Sequence, residues 1–254
     1  MDMGLAGKRV LVTGASKGIG LAVAKAMAAE GAHPIIVSRT AEALERAVQG
    51  IKQETGVDAE WRAVDLSDGD AARGLVADFS DIDILVNNAG AIPPGNLDDV
   101  QEPTWREAWD LKVFGYVNMT RAVYANMRDR GHGVIVNVIG AAGQKPSAGY
   151  VAGSAGNASL MAFTRAMGSV SLRDNIRVVA CNPGLTVTDR MITMLRGTAK
   201  EQYDDPERWR DCMPTDPPPS EADDVADLVT FLASDRARMI TGTVITIDGG
   251  AAER

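Results

Sequence analysis

The chain has 254 residues, of which 45% are hydrophobic and 24% charged, and it carries a net charge of −8. This length fits one α/β domain with a well-buried core. The acidic balance argues against a general surface for nucleic acid or anionic membranes. An anionic ligand would therefore have to be held by local features, such as helix N-termini and a few placed cations.

The two cysteines, Cys181 and Cys212, do not form a Cys-x-x-Cys pair. Their spacing argues against a disulfide framework and against a metal site. The N-terminal residues lack an apolar core of signal-peptide length, and no apolar run approaches the roughly 18 residues of a membrane helix. We therefore expect a cytoplasmic protein with no metal and with no nucleic-acid or membrane partner.

Short Val/Ile-rich runs alternate with longer amphipathic stretches along the chain. The short runs predict β-strands at 9–13, 34–38, 59–64, 82–87, 133–139, 176–182 and 244–247. The amphipathic stretches predict helices at 18–30, 41–54, 67–79, about 102–130, about 148–172 and 221–233. This alternation predicts one domain over 1–254, an α/β fold with a single Rossmann-like, doubly wound parallel β-sheet flanked by helices on both faces.

The stretch of about 185–219 interrupts this alternation. It ends in a run with four prolines between Met213 and Ser220, which cannot join a helix or an inner strand. We predict an irregular segment that covers a substrate pocket, and its soft apolar side chains favour a small, apolar substrate. The proline-rich end is alternatively a stiff surface connection.

A glycine-rich turn follows the first predicted strand and opens the first predicted helix. Such a turn lets the backbone approach a pyrophosphate, and the helix start offers free N–H groups. After the second strand, Ser38 and Arg39 stand where an NAD site usually has a carboxylate, and a guanidinium suits the 2′-phosphate of NADP(H). Lys17 can add a second cation, although either cation is alternatively a solvated surface residue. The predicted phosphate-binding residues of the turn are Gly14, Ser16, Lys17, Gly18, Ile19 and Gly20.

Five short motifs at the ends of predicted strands resemble the short-chain dehydrogenase/reductases in order and spacing, over nearly the whole chain. They are the turn 13–20, Asp65-Leu66, Asn87-Asn88-Ala89-Gly90, Asn182-Pro183-Gly184 and Asp248-Gly249-Gly250. The resemblance implies an NAD(P)-dependent oxidoreductase that forms a homo-oligomer, a tetramer or a dimer. It also implies cofactor contacts: Asp65, beside Leu66, at the adenine; Asn87, Ala89 and Gly90 along the adenine ribose and central sheet; and Pro183, Gly184 and Thr188 at the nicotinamide.

The four positions that usually carry the catalytic Asn, Ser, Tyr and Lys of this family hold other residues. In the register set by the flanking motifs they are Lys112, Gly140, Gly153 and Asn157, respectively. A shifted register would instead give Tyr150 the Tyr position, Ser154 the Lys position and Asn137 the Ser position. That shift would misalign the helix that follows.

In the first register, the ammonium and the amide have exchanged places between Lys112 and Asn157. Gly153 also leaves space for Tyr150, one helical turn earlier. Our hypothesis is a rearranged site in which Tyr150 donates the proton, Lys112 lowers its pKa, Asn157 orients water or the ribose, and Ser154 polarises the substrate oxygen. The alternatives are a non-catalytic NADP(H)-binding sensor or partner subunit, and non-redox chemistry on the same scaffold.

Overall fold

The computed structural model describes residues 2–254 of the chain. Its strands are β1 (Arg9–Thr13), β2 (His33–Ser38), β3 (Glu60–Ala63), β4 (Ile84–Asn87), β5 (Gly133–Val138), β6 (Ile176–Pro183) and β7 (Val244–Ile247). Within the described range they form one sheet in the order β3-β2-β1-β4-β5-β6-β7, and every neighbouring pair is parallel. The predicted doubly wound Rossmann-like sheet is therefore confirmed.

The helices lie on both faces of this sheet. They are α1 (Gly18–Ala29), α2 (Ala41–Thr55), α3 (Gly69–Asp78), α4 (Glu102–Trp109), α5 (Gly115–Arg130), α6 (Val151–Gly168), α7 (Asp189–Tyr203) and α8 (Ala222–Ala233). Alternate side chains of a strand point to opposite faces, which explains how the core is divided. In β1, Val10 and Val12 belong to the hydrophobic cluster that includes α1 residues, whereas Leu11 belongs to the cluster on the other face.

Two predicted helices differ from the observed ones. The single helix expected at about 102–130 is interrupted by a π-helical turn, Asp110–Phe114, between α4 and α5. The helix expected at about 148–172 begins only at Val151 and ends at Gly168, before a separate 3₁₀ turn, Ser171–Asp174. Single-turn π segments are frequent at functional sites, and this one carries Lys112.

The prediction of an irregular segment over 185–219 was wrong, because it contains α7 and a 3₁₀ turn, Pro206–Cys212. The Thr188 side chain accepts a hydrogen bond from the Met191 backbone N–H and so caps the start of α7. This cap satisfies a free donor of the first turn and favours the helix. On one face of α7, Met191 and Ala199 are buried.

The strand order reverses between β1 and β4, which are neighbours in the sheet. In open parallel sheets, ligands bind beyond the carboxyl ends of the strands at such a reversal. The fold therefore places a binding cleft where β1 meets α1 and where the chain leaves β4. Of the helices formed by residues 2–254, none combines the length and apolar composition required to cross a lipid bilayer.

Candidate active site

A cleft of about 980 Å³ opens beyond the carboxyl ends of the strands. It extends from the glycine-rich turn to the start of α6 and to the segment before α7. Most of the residues predicted to hold the cofactor line it. They are Gly14, Ser16, Lys17, Gly18, Ile19, Ser38, Arg39, Leu66, Ala89, Gly90, Pro183, Gly184 and Thr188.

Backbone geometry explains the glycines of the turn. Gly14 and Gly18 have φ of 66° and 56°, a backbone conformation that residues with a side chain rarely adopt. An added Cβ on Gly14 would also lie 2.8 Å from Cα of Ala89. Lys17 is the N-cap of α1 and makes no side-chain capping bond, so the first N–H groups of the helix remain available for an anion.

The turn is held by Asn88, which the sequence analysis did not single out. Its Nδ2 donates to the backbone carbonyls of Thr13, at 3.0 Å, and Gly14, at 3.2 Å. Asn88 also lines the cleft. It comes from the same four-residue motif as the predicted Asn87, and only the structure shows which of the two amides reaches the turn.

Two polar side chains lie at the end of β2. The Ser38 Oγ atom is buried and has no hydrogen-bond partner within residues 2–254, and Arg39 beside it is exposed in the cleft. An unpaired buried hydroxyl is costly unless a ligand or water satisfies it. With the free N–H groups at the start of α1, these polar groups fit a nicotinamide dinucleotide.

Three residues predicted to contact the cofactor do not line the cleft. Gly20 is buried at the start of α1, where an added Cβ would lie 2.6 Å from the Gly14 carbonyl oxygen. Asn87 is buried in the sheet and donates to Thr120 and Asn137, so of its two expected roles the structure shows the one in the central sheet. Asp65 is exposed, and hydrogen bonds from Ser67 are the main reason that its pKa is lowered, with a smaller contribution from the charge of Arg39.

Lys112 enters the cleft from the π-helical turn. Its aliphatic stem crosses Gly90, where an added Cβ would lie 2.7 Å from Lys112 Cδ. The ammonium Nζ donates to the backbone carbonyl of Ile139 at 2.6 Å. Burial, followed by the charge of Arg190, lowers the pKa of Lys112 to about 8.

The phenol ring of Tyr150 lies against Gly153. An added Cβ on Gly153 would lie 2.0 Å from Cζ of Tyr150, so the ring fills the space in which a side chain at position 153 would begin. The backbone of Tyr150 is fixed by a bridge to Gly95 and by the Val151 N–H, which donates to the Gly95 carbonyl at 3.2 Å. Tyr150 lines the cleft.

Asn157 reaches the cleft from α6 and approaches Gly140. An added Cβ on Gly140 would lie 2.9 Å from Asn157 Nδ2, while the buried Oδ1 atom has no partner among residues 2–254. Gly140 has φ of 140°, a conformation that is strained for a side chain such as Ser. Lys112 and Asn157 therefore converge on the Ile139–Gly140 peptide, and the backbone there disfavours the usual serine.

Ser154 does not reach the cleft, which corrects its predicted role as the polarising hydroxyl. Its Oγ atom accepts a hydrogen bond from the Ser147 backbone N–H at 3.0 Å, and Ser154 as a whole is only 6% exposed. Ser154 therefore anchors the loop that leads into Tyr150. Tyr116, a further phenol close in sequence to Lys112, is also unavailable, because it is buried and its hydroxyl donates to the Val138 carbonyl at 2.7 Å.

Arg190 is the functional candidate that the sequence analysis missed. It is the second residue of α7, lines the cleft and donates from Nη2 to the backbone carbonyl of Ile92. Burial raises the pKa of Tyr150, and the charge of Arg190 together with its hydrogen bonding opposes that rise. The charge that opposes the raised pKa of Tyr150 is therefore that of Arg190, whereas that effect was expected of Lys112. No motif marks Arg190, because its position depends on a helix in a segment predicted to be irregular.

Comparisons with known proteins agree with this geometry. The family profile described as "short chain dehydrogenase" matches residues 8–198. The 2,3-dihydro-2,3-dihydroxybenzoate dehydrogenase of Bacillus subtilis is 33% identical, with 98% of this chain and 97% of that protein covered. L-sorbose reductase from Gluconobacter frateurii, solved with NADPH and L-sorbose, has a TM-score of 0.92 at 30% identity, with both chains fully covered (100%). An NAD⁺-bound xylitol dehydrogenase has a TM-score of 0.86 at 29% identity, with 97% of this chain and 99% of that chain covered.

The profile spans well over half of the chain, and relatives above 30% identity cover nearly all of it. The cleft and its glycine-rich turn lie beyond the carboxyl ends of the strands at the reversal of strand order, where sheets of this kind bind dinucleotides. The chain belongs to the short-chain dehydrogenase/reductase family and is an NAD(P)-dependent oxidoreductase.

Proposed function

We propose that this enzyme uses NADP(H) to transfer hydride between the nicotinamide and a carbonyl or alcohol carbon, through a rearranged catalytic site. The observation that carries this proposal is the ring of Tyr150 lying in the cleft over Gly153. A proton donor is thereby available although the usual Tyr position is a glycine. Lys112, Asn157 and Arg190 complete the polar groups of the site.

The preference for NADP(H) over NAD(H) is supported by charge. Ser38, Arg39 and Lys17 line the end of the cleft nearest to β2 and the turn, where an NADP 2′-phosphate would need donors. Neighbouring structures of the family contain NADPH in L-sorbose reductase and NAD⁺ in xylitol dehydrogenase. The family therefore accommodates both cofactors, and the residues of this chain favour the phosphorylated one.

When bound, NADPH supplies the hydride, so that a ketone, NADPH and one proton give a secondary alcohol and NADP⁺. Tyr150 donates its phenolic proton to the carbonyl oxygen and then regains a proton from solvent. Arg190 and Lys112 stabilise the negative charge that develops on the two oxygens. The unpaired Oδ1 atom of Asn157 accepts a hydrogen bond from the water that returns the proton, or from the cofactor ribose.

The cover of the cleft supports a substrate with an apolar body. Leu185, Met191 and Met194 line the side of the cleft formed by α7 and the segment before it. We propose that 185–219 closes over the substrate, with α7 as its rigid part. Flexible thioether side chains adapt to different apolar shapes, so the reaction should extend over a range of small ketones.

The decisive experiment is Tyr150→Phe, assayed with NADPH and a panel of ketones and diketones. Loss of the proton donor should lower kcat by about 10²- to 10⁴-fold, while the dissociation constant for NADPH stays unchanged. Tyr203→Phe is the matched control, because Tyr203 lies at the end of α7 and does not line the cleft. Full activity in Tyr150→Phe would refute the proton role. Tight NADPH binding by the unmodified protein with no turnover of any ketone would refute the reductase and favour a non-catalytic relative.

We also propose that the chain forms a homo-oligomer. A groove of about 550 Å³ beside α4 is lined by apolar side chains that include Leu97, Trp105 and Phe114. Leu97 is 70% and Phe114 52% exposed, and exposed apolar patches of this kind mark protein interfaces. Analytical ultracentrifugation should show a dimer or tetramer that Leu97→Asp weakens. A monomer at micromolar concentration would refute this proposal.

A further inference from the structure

The charge of the cleft is opposite in sign to that of the whole chain. The protein carries a net charge of −8, yet the cleft is lined by five cationic side chains, Lys17, Arg39, Lys112, Lys145 and Arg190, and by only two carboxylates. Lys17 and Arg39 lie at the phosphate end, which the dinucleotide accounts for. Lys145 is directed to the C-terminal residues, because its Nζ donates to the carbonyls of Ala251 and Arg254. Lys112 and Arg190 remain at the chemical end, where each donates to one backbone carbonyl.

Neither of these two cations is neutralised by the protein. Among residues 2–254, no carboxylate oxygen lies within the 4.0 Å of an ion pair with Lys112 or Arg190. The carboxylate of Asp248 accepts from the backbone N–H groups of Gly250 and Ala252. Asp189, the neighbour of Arg190 in sequence, is exposed at the start of α7.

The guanidinium of Arg190 is held across the cleft. One nitrogen, Nη2, donates to the Ile92 carbonyl in the loop after β4. The charge of the side chain acts on both Lys112 and Tyr150, so the guanidinium is their neighbour in the cleft. A guanidinium has five N–H donors, so most of them remain free beside the phenol.

We propose that the substrate carries a carboxylate close to its reacting carbonyl, and that Arg190 binds this carboxylate. The planar fork of a guanidinium matches the two oxygens of a carboxylate and fixes its orientation. Lys112 provides the second positive charge on the same side. The apolar side chains of α7, Met191 and Met194, contact the rest of the molecule. The substrate class is therefore an oxo acid with an apolar body, and this inference rests on the proposed reductase function.

The test compares a charged ketone with its neutral counterpart. The probes are 2-oxo-4-phenylbutanoate and its ethyl ester, which share the reacting carbonyl and the apolar body. In Arg190→Gln, the ratio of kcat/KM for the acid to that for the ester should fall by about 10- to 100-fold. Because Arg190 also acts on Tyr150, both substrates can lose some activity, and only the ratio reports on carboxylate binding. Arg190→Lys, which keeps the charge, should recover part of the ratio.

A binding measurement tests the inference independently of turnover. Calorimetry with the NADP⁺-loaded enzyme should show that Arg190→Gln lowers the affinity for 4-phenylbutanoate by about 10- to 100-fold. The affinity for 4-phenylbutanamide should change by less than about twofold. Arg196→Gln is the matched control, because Arg196 lies on the same helix, pairs with Glu207 and does not line the cleft. It should bind both probes as the unmodified enzyme does.

Three results would overturn the inference. One is an equal loss for acid and ester in Arg190→Gln. Another is binding of 4-phenylbutanoate by Arg190→Gln with unchanged affinity. The third is a loss of affinity for NADPH in Arg190→Gln as large as the loss for the carboxylate, which would show that Arg190 binds a cofactor phosphate. If the unmodified enzyme reduced other ketones of the panel but neither of these two probes, the inference would fail while the proposed reductase would stand; if it reduced no ketone at all, the proposed reductase would fail, while calorimetry would still decide whether Arg190 holds a carboxylate.

Discussion

The two ends of the cleft are built from different parts of the chain. The cofactor end consists mainly of backbone: the turn Gly14–Gly18, the free N–H groups of α1, and the Pro183–Gly184 segment. The chemical end consists of side chains from three separate elements, with Lys112 from the π-helical turn, Tyr150 at the start of α6 and Arg190 on α7.

This difference is consistent with the rearranged site that we propose, in which the cofactor end keeps the family pattern and the chemical end departs from it. A backbone cradle depends on φ angles and close contacts, so each glycine in it tolerates little change. A group of convergent side chains can exchange members, provided that a proton donor and positive charge reach the same place. In this chain, Tyr150 fills the space left by Gly153, and Lys112 and Asn157 meet at one peptide.

The largest expected effect comes from closing the space over Gly153. In Gly153→Ala, the new Cβ would lie 2.0 Å from Tyr150 Cζ, so the ring must leave its position. We expect kcat to fall by about 10²-fold or more, with NADPH binding unchanged. Stopped-flow reduction assays and calorimetry would measure the two quantities.

Gly74→Ala is the matched control for this substitution. Gly74 lies in α3 and an added Cβ there meets nothing within 4 Å, so the variant should keep full activity and be slightly more stable. If Gly153→Ala were as active as Gly74→Ala, the ring of Tyr150 would not be the proton donor. The chemical end would then depend on another group.

The second effect concerns the cofactor end. Arg39→Ala should lower the affinity for NADPH by about 10- to 100-fold, because a charge-assisted contact to the 2′-phosphate is lost. The affinity for NADH should change by less than about twofold. Arg46→Ala is the control, because it removes the same charge from an exposed residue of α2 that lies outside the cleft. Fluorescence titration measures both affinities. Equal weakening of NADPH and NADH would refute the role given to Arg39.

A third prediction uses the lowered pKa of Lys112, which is about 8 because the ammonium is buried and lies near Arg190. The ammonium is charged below this pH and loses its charge as the pH rises through it. The advantage of the unmodified enzyme over Lys112→Met in kcat/KM should therefore be about tenfold near pH 6.5 and should shrink above pH 8.

A matched variant separates this effect from surface charge. Lys52→Met removes an exposed lysine that pairs with Asp58, and its pH profile should equal that of the unmodified enzyme. The same comparison can be made between Arg190→Gln and the double variant that also carries Lys112→Met. There the pH at which the advantage of Lys112 is lost should move upwards, because the charge of Arg190, the second cause of the lowered pKa of Lys112, has been removed. A pH-independent ratio for Lys112→Met would show that its charge takes no part in the reaction.

The sequence was sufficient for the features that depend on local pattern. Strand periodicity predicted the sheet, the motifs at the strand ends predicted most of the residues that line one side of the cleft, and the glycine at position 153 predicted where the ring of Tyr150 lies. The π-helical turn, the helix α7 and Arg190 were not predictable in this way. Their positions depend on contacts between segments far apart in the chain, such as that between Arg190 and Ile92, for which a single sequence contains no spacing rule.

The smallest effect distinguishes an anchor from a catalyst at Ser154. Its hydroxyl accepts from the Ser147 N–H, so Ser154→Ala should lower the free energy of unfolding by about 1 kcal/mol and reduce kcat by less than about threefold. Ser159→Ala, on the same helix and exposed, should change neither. A fall in kcat of about 10²-fold without loss of stability would return Ser154 to the polarising role first expected of it. A small, purely structural effect would leave Ser154 as an anchor, and the proposed stabilisation of the substrate oxygen would then rest on the positive charge of Arg190 and Lys112.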